Sequence, residues 1–408
     1  MRRIRRIRRL SRRSRRVFSL IGSAASDQSQ RVLDPLRRLV QGVSLRRMGS
    51  TAAEAQAAAR RTAIAVDGMG GDFAPEVVLK GCLDAIGRLP VRILFSVEPQ
   101  ALQAVLAADE SLAKASEAAC RAGLLQVIEA GPSISMDDEP TAVRRKRTAS
   151  INLAMGLVKS GEAAAIYSAG NSGAVMASAI FRLGRLRGID RPAIGALFPT
   201  KDPARQVLVL DVGANMDCKP VYLKQFAQLG SIYSTNVLGI RQPRVGLLNI
   251  GEEDCKGNDL TLGAYPLLAQ EPSIRFSGNC EGRDVLSTDF DVVVCDGFSG
   301  NVLLKFLESV ASVLLEVLKA EIPRGRRGKV GAAFLRGNLR RIKKRLDHAE
   351  HGGALLLGVD GICVVGHGSS SSVSVVSAIR LALTAADNNV MEQLHQLSGG
   401  GDSVVTAV

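Results

Sequence analysis

From residue 63 onward, short apolar runs rich in β-branched residues alternate with stretches of helical periodicity, and this alternation limits the fold more than any other feature. Runs at 63–67, 91–97, 124–129, 163–168, 206–212, 244–250, 291–296 and 362–366 are predicted strands. Several are continuously apolar, as strands buried on both faces should be. Patterns at 76–88, 174–187, 219–238, 301–321 and 369–397 are predicted helices. Strand–helix alternation implies an α/β domain with a largely parallel sheet and helices on both faces. No internal repeat interrupts it.

Five of the predicted strands end in small, polar, glycine-rich loops: DGMGGD at 67–72, SAGNSG at 168–173, DVGAN at 211–215, NIGEEDCKG at 249–257 and DGFSGN at 296–301. Open α/β sheets bind ligands at the carboxyl ends of their strands. Small residues let backbone N–H groups approach an anion, and the N-terminus of the following helix attracts it. Five such loops on a common rim predict a wide site for an anion and a second substrate. DGMGGD is not G-x-G-x-x-G, so a dinucleotide reading is weak. The chain has no Walker-type G-x-x-x-x-G-K-[ST] run and no G-x-S-x-G elbow, which argues against a nucleotide triphosphatase and the usual serine hydrolase.

The net charge of +14 suggests nucleic acid until it is mapped. Residues 1–62 hold 17 of the 53 basic residues and three of the 39 acids, so the remaining 36 of each cancel. A neutral body gives no reason to expect nucleic-acid binding. Residues 1–16 carry ten Arg, and such a block repels itself rather than building a core. Residues 1–62 are read as a disordered basic extension, with an organellar targeting segment or an upstream-placed start as alternatives. The Gly-rich end at 399–408 is read as a flexible tail after a domain spanning 63–398. The seven Cys form no C-x-x-C pair and fit reduced thiols in a cytoplasm. No run approaches 18 apolar residues, so no transmembrane helix is expected.

The runs IAVDGMGGDFAPE, YSAGNSGAVMAS, LDVGANMDCKP, RVGLLNIGEEDCKGN, GNCEGRD, VVVCDGFSGNVLLK and GVDGICVVGHGSSS occur in this order between about residue 63 and residue 390. Together they resemble the phosphate acyltransferase family called PlsX. Gly68 stands where that family usually shows Ala. The resemblance implies transfer of a fatty acyl group from acyl carrier protein to inorganic phosphate, giving acyl phosphate for phosphatidic acid and phospholipid synthesis. It also implies a Rossmann-like three-layer α/β/α fold similar to that of phosphotransacetylases, a homodimer, and no metal or organic cofactor. Further implications are a cytoplasmic enzyme, peripheral at the inner face of the membrane, and association with the downstream glycerol-3-phosphate acyltransferase.

In such a reaction phosphate is itself the nucleophile. The site must hold the anion, stabilise a tetrahedral oxyanion and let a thiolate leave. For phosphate the favoured place is the helix start Ser299-Gly300-Asn301 with Lys305 one turn on, against a plain N-cap and a solvated lysine. Asp67, Gly70, Gly71 and Gly170 belong to the substrate loops. Asn171 is either a donor to phosphate or oxyanion, or a turn residue. Asp211, with Asn215, orients a lysine or the phosphate, or caps its own loop. Lys219 and Lys256 meet phosphate or the carrier's phosphopantetheine arm, or are merely solvated. His367 protonates the leaving thiolate, or is a satisfied structural histidine. Cys218, Cys255 and Cys295 lie near the loops and leave an acyl-cysteine route open, but no His or Asn partner can be assigned to them.

Residues 323–348 interleave Phe334, Leu335, Leu339, Ile342 and Leu346 with Arg336, Arg340, Arg341, Lys343, Lys344 and Arg345. An apolar stripe with a basic face suits anionic lipid or an acidic carrier, while a helix packed on the body is the plainer reading. Two other functions compete with the main one. A phosphate acetyl- or butyryltransferase would use acyl-CoA, and a nucleic-acid or membrane tether would depend on the Arg-rich segment.

Overall fold

The computed structural model describes residues 58–346 and 353–399. One sheet of 11 strands contains β1 (Thr62–Asp67), β2 (Val91–Val97), β3 (Leu125–Glu129), β4 (Ala165–Ser168), β5 (Ala193–Pro199) and β6 (Gln206–Leu210). It is completed by β7 (Arg244–Asn249), β8 (Arg275–Glu281), β9 (Val292–Val294), β10 (Ala354–Leu357) and β11 (Ile362–Val365). Their order is β3-β2-β1-β4-β11-β10-β5-β6-β9-β7-β8.

Alternating side chains feed two cores, one on each face. Ile64 and Val66 of β1 point to the larger one, with α1 (Glu76–Arg88), α2 (Pro99–Ala108), α3 (Glu110–Arg121), α7 (Pro220–Asn236), α8 (Asp259–Ala269), α11 (Ser372–Asp387) and α12 (Val390–Gly399). Ala63 and Ala65 point to the other, beneath α5 (Ser150–Lys159), α6 (Ser172–Arg182) and the early turns of α9 (Gly297–Glu321). The three-layer α/β/α architecture follows from this two-sided burial. A short α4 (Ala142–Arg145) precedes α5, and α10 (Gly325–Leu346) follows α9. Ala58, just before β1, is buried, and the Arg61 guanidinium donates to the carbonyls of Ile86 and Leu89.

The sheet is mostly parallel, yet the loops do not share one rim as the sequence suggests. Pairings β11–β10, β10–β5 and β5–β6 are antiparallel, while the other seven are parallel. Three reversals leave β6, β9 and β7 running opposite to β1, β4 and β11. Register then brings the two sets of carboxyl ends together. Val365, the last residue of β11, pairs with Ala354, and the Leu355–Gly195 pairing sets Ala354 opposite Ala196. Leu210, the last residue of β6, pairs with Gly195. The half-sheets therefore approach from opposite directions and their strand ends meet at the middle.

Strands β5, β8 and β10 are absent from the sequence-based reading, since β5 carries Gly195 and Pro199, β8 is a polar edge strand, and β10 has four residues. The helix expected over 174–187 stops at Arg182, where Gly184 takes a φ of 93°. The one expected over 369–397 breaks at Asn389, whose φ is 51°.

Asp291 clasps the second half-sheet. Its carboxylate, 4% exposed, accepts from Arg205 at 2.5 Å and from Arg244 Nε at 3.1 Å. Burial pushes this carboxyl up, but the hydrogen bonds from Arg244 and Arg205 prevail and hold it below its usual value. A depressed carboxylate contributes stability that is present above its unfolded pKa and lost as pH falls through the folded one. We expect Asp291→Asn to lower Tm at neutral pH, with the gap to wild type closing in melts taken below the ordinary carboxylate pKa of about 4.

Candidate functional site

On the side of the first half-sheet, Asp67 ends β1 fully enclosed. It accepts from Ser150 Oγ at 2.5 Å, Ser168 Oγ at 2.7 Å and the Met69 N–H at 3.3 Å. Burial pushes its carboxyl above the usual range, against these three hydrogen bonds. Ser168 Oγ also accepts the Gly170 N–H at 3.2 Å, so the first two loops are tied through one carboxylate. Gly70 lies so close that a Cβ there would be 2.8 Å from both Asp67 Oδ2 and the Gly170 nitrogen. Gly71, at φ 111°, turns the chain so that the Asp72 N–H reaches the Gly368 carbonyl at 2.8 Å. Asn171 N-caps α6, accepting from Gly173 and Ala174, and its Nδ2 donates to the Met136 carbonyl at 2.8 Å.

On the opposing side, Asp211 is equally enclosed. Oδ1 accepts from the N–H groups of Ile194, Gly213 and Ala214, and Oδ2 accepts from the Asn215 N–H at 2.7 Å and its Nδ2 at 2.9 Å. Burial pushes Asp211 up as well, while those donors pull the other way. Asn215 Nδ2 also donates to the Pro192 carbonyl at 2.7 Å. Asp296 N-caps α9, accepting from the Ser299 N–H at 2.9 Å and its hydroxyl at 2.8 Å. Gly300 is pressed on the Asp211 carbonyl oxygen, with no room for a Cβ.

Between the two sets of strand ends, roofed by α9, lies a cavity of about 610 Å³. Its size suits a small-molecule site. At one end Lys305, Glu308 and the 366–370 loop form a polar cluster. Gly170, Ser172 and Asn301 also line the cavity, together with the apolar Ile194, Ala196, Leu197, Val212, Leu304, Ala354 and Val365.

At the polar end the Ser369 N–H donates to His367 Nδ1 at 3.2 Å, with the Ser369 hydroxyl 2.8 Å from the same nitrogen. An accepting Nδ1 puts the neutral ring's proton on Nε2. Lys305 Nζ stands 3.4 Å from that Nε2, held by Glu308 at 3.0 Å. Two donors thus stand side by side, an arrangement that an anionic oxygen in front of both would satisfy.

Of the residues singled out in the sequence, Gly170, Asn301, Lys305 and His367 line this cavity. Asp67, Gly70, Gly71, Asn171, Asp211 and Asn215 lie behind it and shape the loops. Ser299 and Gly300 do not line it, and their helix start is already capped by the Asp296 carboxylate. Lys219 and Lys256 are exposed and outside it. Ser172, Val212, Gly213, Glu308 and Ser369–Ser370 line it without having been singled out. The run GHGSSSS signalled the last pair, whereas Glu308 sits one turn beyond Lys305 and carries no motif.

The cysteine route has no support in this geometry. Burial pushes Cys295 well above its usual value and Cys218 up to about 12, so neither is a thiolate at neutral pH. Cys255 is exposed, and none of the three lines the cavity. Among the described residues, no group of three or more His, Cys, Asp or Glu is placed to hold a metal ion.

The cavity sits where strand ends converge in an α/β/α sandwich and joins a Lys305–His367 donor pair to apolar side chains, the frame of an α/β enzyme. A family model described as "Fatty acid synthesis protein" matches residues 62–393, and the chain belongs to that family. It is 67% identical over 374 residues to a phosphate acyltransferase of Parasynechococcus marenigrum (strain WH8102), covering 91% of this chain and 85% of the relative. It is 60% identical over 341 residues to a phosphate acyltransferase of Synechococcus elongatus (strain ATCC 33912 / PCC 7942 / FACHB-805), covering 83% and 94%. In fold it is similar to a phosphotransacetylase from Streptococcus pyogenes, with a TM-score of 0.55, 11% identity, and 88% and 98% of the two chains covered. The PlsX-type resemblance read from the motifs and the expected fold both hold.

The contact between the first two loops leaves no space for a side chain at Gly70. We expect Gly70→Ala to cost about 1–3 kcal/mol, typical of overpacking, and to depress turnover, measured by denaturant unfolding and steady-state assay.

Proposed function

We propose that this enzyme transfers a long-chain acyl group from acyl carrier protein to inorganic phosphate, supplying acyl phosphate for phospholipid synthesis. The observation that carries the reading is the donor pair Lys305 Nζ and His367 Nε2, 3.4 Å apart, at the mouth of an apolar cavity. Phosphate bridges the two. One of its oxygens attacks the thioester carbon, the carbonyl π electrons move onto oxygen, and the tetrahedral intermediate collapses by breaking the C–S bond. Acyl phosphate forms, and the phosphopantetheine thiolate leaves and takes up a proton. That proton is the one the hydrogen phosphate ion loses on attack; His367 Nε2–H holds a phosphate oxygen, Lys305 balances the phosphate charge, and Asn301 with the nearby loop N–H groups faces the developing oxyanion. Asp67 and Asp211 act by holding loops rather than touching substrate.

The same reading covers the surroundings. α9 exposes Val302, Phe306, Val310, Val313 and Val317, an unusually apolar stripe that suits packing against a second copy of the chain. α10 exposes Val330, Phe334, Leu335 and Ile342 beside its arginines, which suits an anionic membrane surface close to the downstream glycerol-3-phosphate acyltransferase. Among the described residues, no helix is long and apolar enough to cross a membrane. The extension expected over residues 1–62 lies outside the described residues as far as residue 57, and protein lacking residues 1–57 is expected to turn over as the full chain does.

The test is a hydroxylamine trap for acyl phosphate, run with acyl carrier protein or CoA thioesters plus phosphate. Lys305→Ala should raise the phosphate KM about 10- to 150-fold, the weight of one charge-assisted contact of about 1.5–3 kcal/mol. Product from acyl-CoA but not from the carrier thioester would make the enzyme a phosphotransacylase of the CoA type instead. Leu339→Glu should abolish sedimentation with anionic liposomes and weaken carrier binding. Unchanged behaviour in both would overturn the role given to α10.

A further inference from the structure

We propose that Ala354 and Ala196 measure the acyl chain, an inference that rests on reading the cavity as the acyl and phosphate site. The register sets Val365 of β11, Ala354 of β10, Ala196 of β5 and Val209 of β6 abreast in one row. All four belong to the core on the side facing α9. The next row on the same face brings in Leu356 and Ile194, both large and both buried. Two adjacent alanines therefore leave a trough across the central strands, with valines at its ends and Leu304 of α9 above it. The side chains of this row are all apolar, so an alkyl chain lying on them strands no hydrogen-bonding group of theirs.

The trough begins beside the anion corner. His367 follows the end of β11 by two residues, Ala354 is one strand away and Ala196 two. At roughly 4.8 Å between neighbouring strands, Ala196 lies about 10 Å from β11. An acyl group whose carbonyl meets phosphate at Lys305 and His367 passes Ala354 first and Ala196 later. Filling either position blocks longer chains and spares shorter ones, because binding energy accrues per methylene until the obstruction is reached.

The experiment compares kcat/KM for short- and long-chain saturated acyl carrier protein with Ala196→Leu and Ala354→Val in the intact enzyme. Each variant should reduce long-chain turnover at least about 10-fold relative to short-chain turnover. The length at which activity falls should be shorter for Ala354→Val. Ala354 is only partly buried, so its valine carries the test should the Ala196 variant fail to fold. An equal effect on every length, or none, in a variant with wild-type melting overturns the proposal. The phosphate KM of Lys305→Ala keeps the two readings apart. If that KM stays put, the cavity is not the site. If it rises while the alanine variants show no length dependence, only the ruler is wrong.

Discussion

Three antiparallel pairings at the centre of the sheet govern the rest of the molecule. Strand direction reverses across β11, β10, β5 and β6, and the offset register lets the carboxyl ends of two half-sheets converge. A singly directed α/β sheet lines its ligand loops along one edge, where substrate is open to solvent on the far side. Here the loops confront each other and α9 closes the gap from above. Polar groups come from strand ends and apolar ones from the strand faces between them. A single cavity can thus present two chemistries without a second domain.

The buried carboxylates follow from that convergence. Loops arriving from opposite directions have no ladder to hold them, and their backbone N–H groups need acceptors. Asp211 is the acceptor for four N–H groups, and Asp67 accepts from one N–H and two serine hydroxyls, so each satisfies several donors at once. An enclosed carboxylate is costly unless so surrounded, which makes each loop stiff once formed. Stiff loops suit a reaction in which positioning does much of the work, because the groups facing the anion need little reorganisation.

Much of this was legible in the sequence. Apolar runs such as 63–67 and 206–212 marked strands because both of their faces are buried, and glycine-rich loops marked strand ends because close backbone approach demands them. The reversal was not legible. It depends on β5 and β10, whose short, glycine- or alanine-containing runs look like loops, and direction within a sheet leaves no mark on composition. The site split along the same line. His367 and Lys305 stood out by type and context, whereas their meeting across the cavity depends on α9 crossing the sheet. Asp296 hid the true state of Ser299: a DGFSGN run reads as an anion cradle until the first carboxylate is seen to fill it.

The position of β11 bears on how the molecule comes into being. This strand slots between β4 and β10, and α11 behind it packs on α1, yet both come from the far end of the chain. The amino-terminal half-sheet consequently keeps an open flank at β4 throughout most of synthesis. The long sequence separation of these contacts favours slow, late consolidation of the sheet. A nascent chain of this design carries β4 without its second neighbour until residues 362–365 have been made, so strand order rather than length sets when the sheet can close.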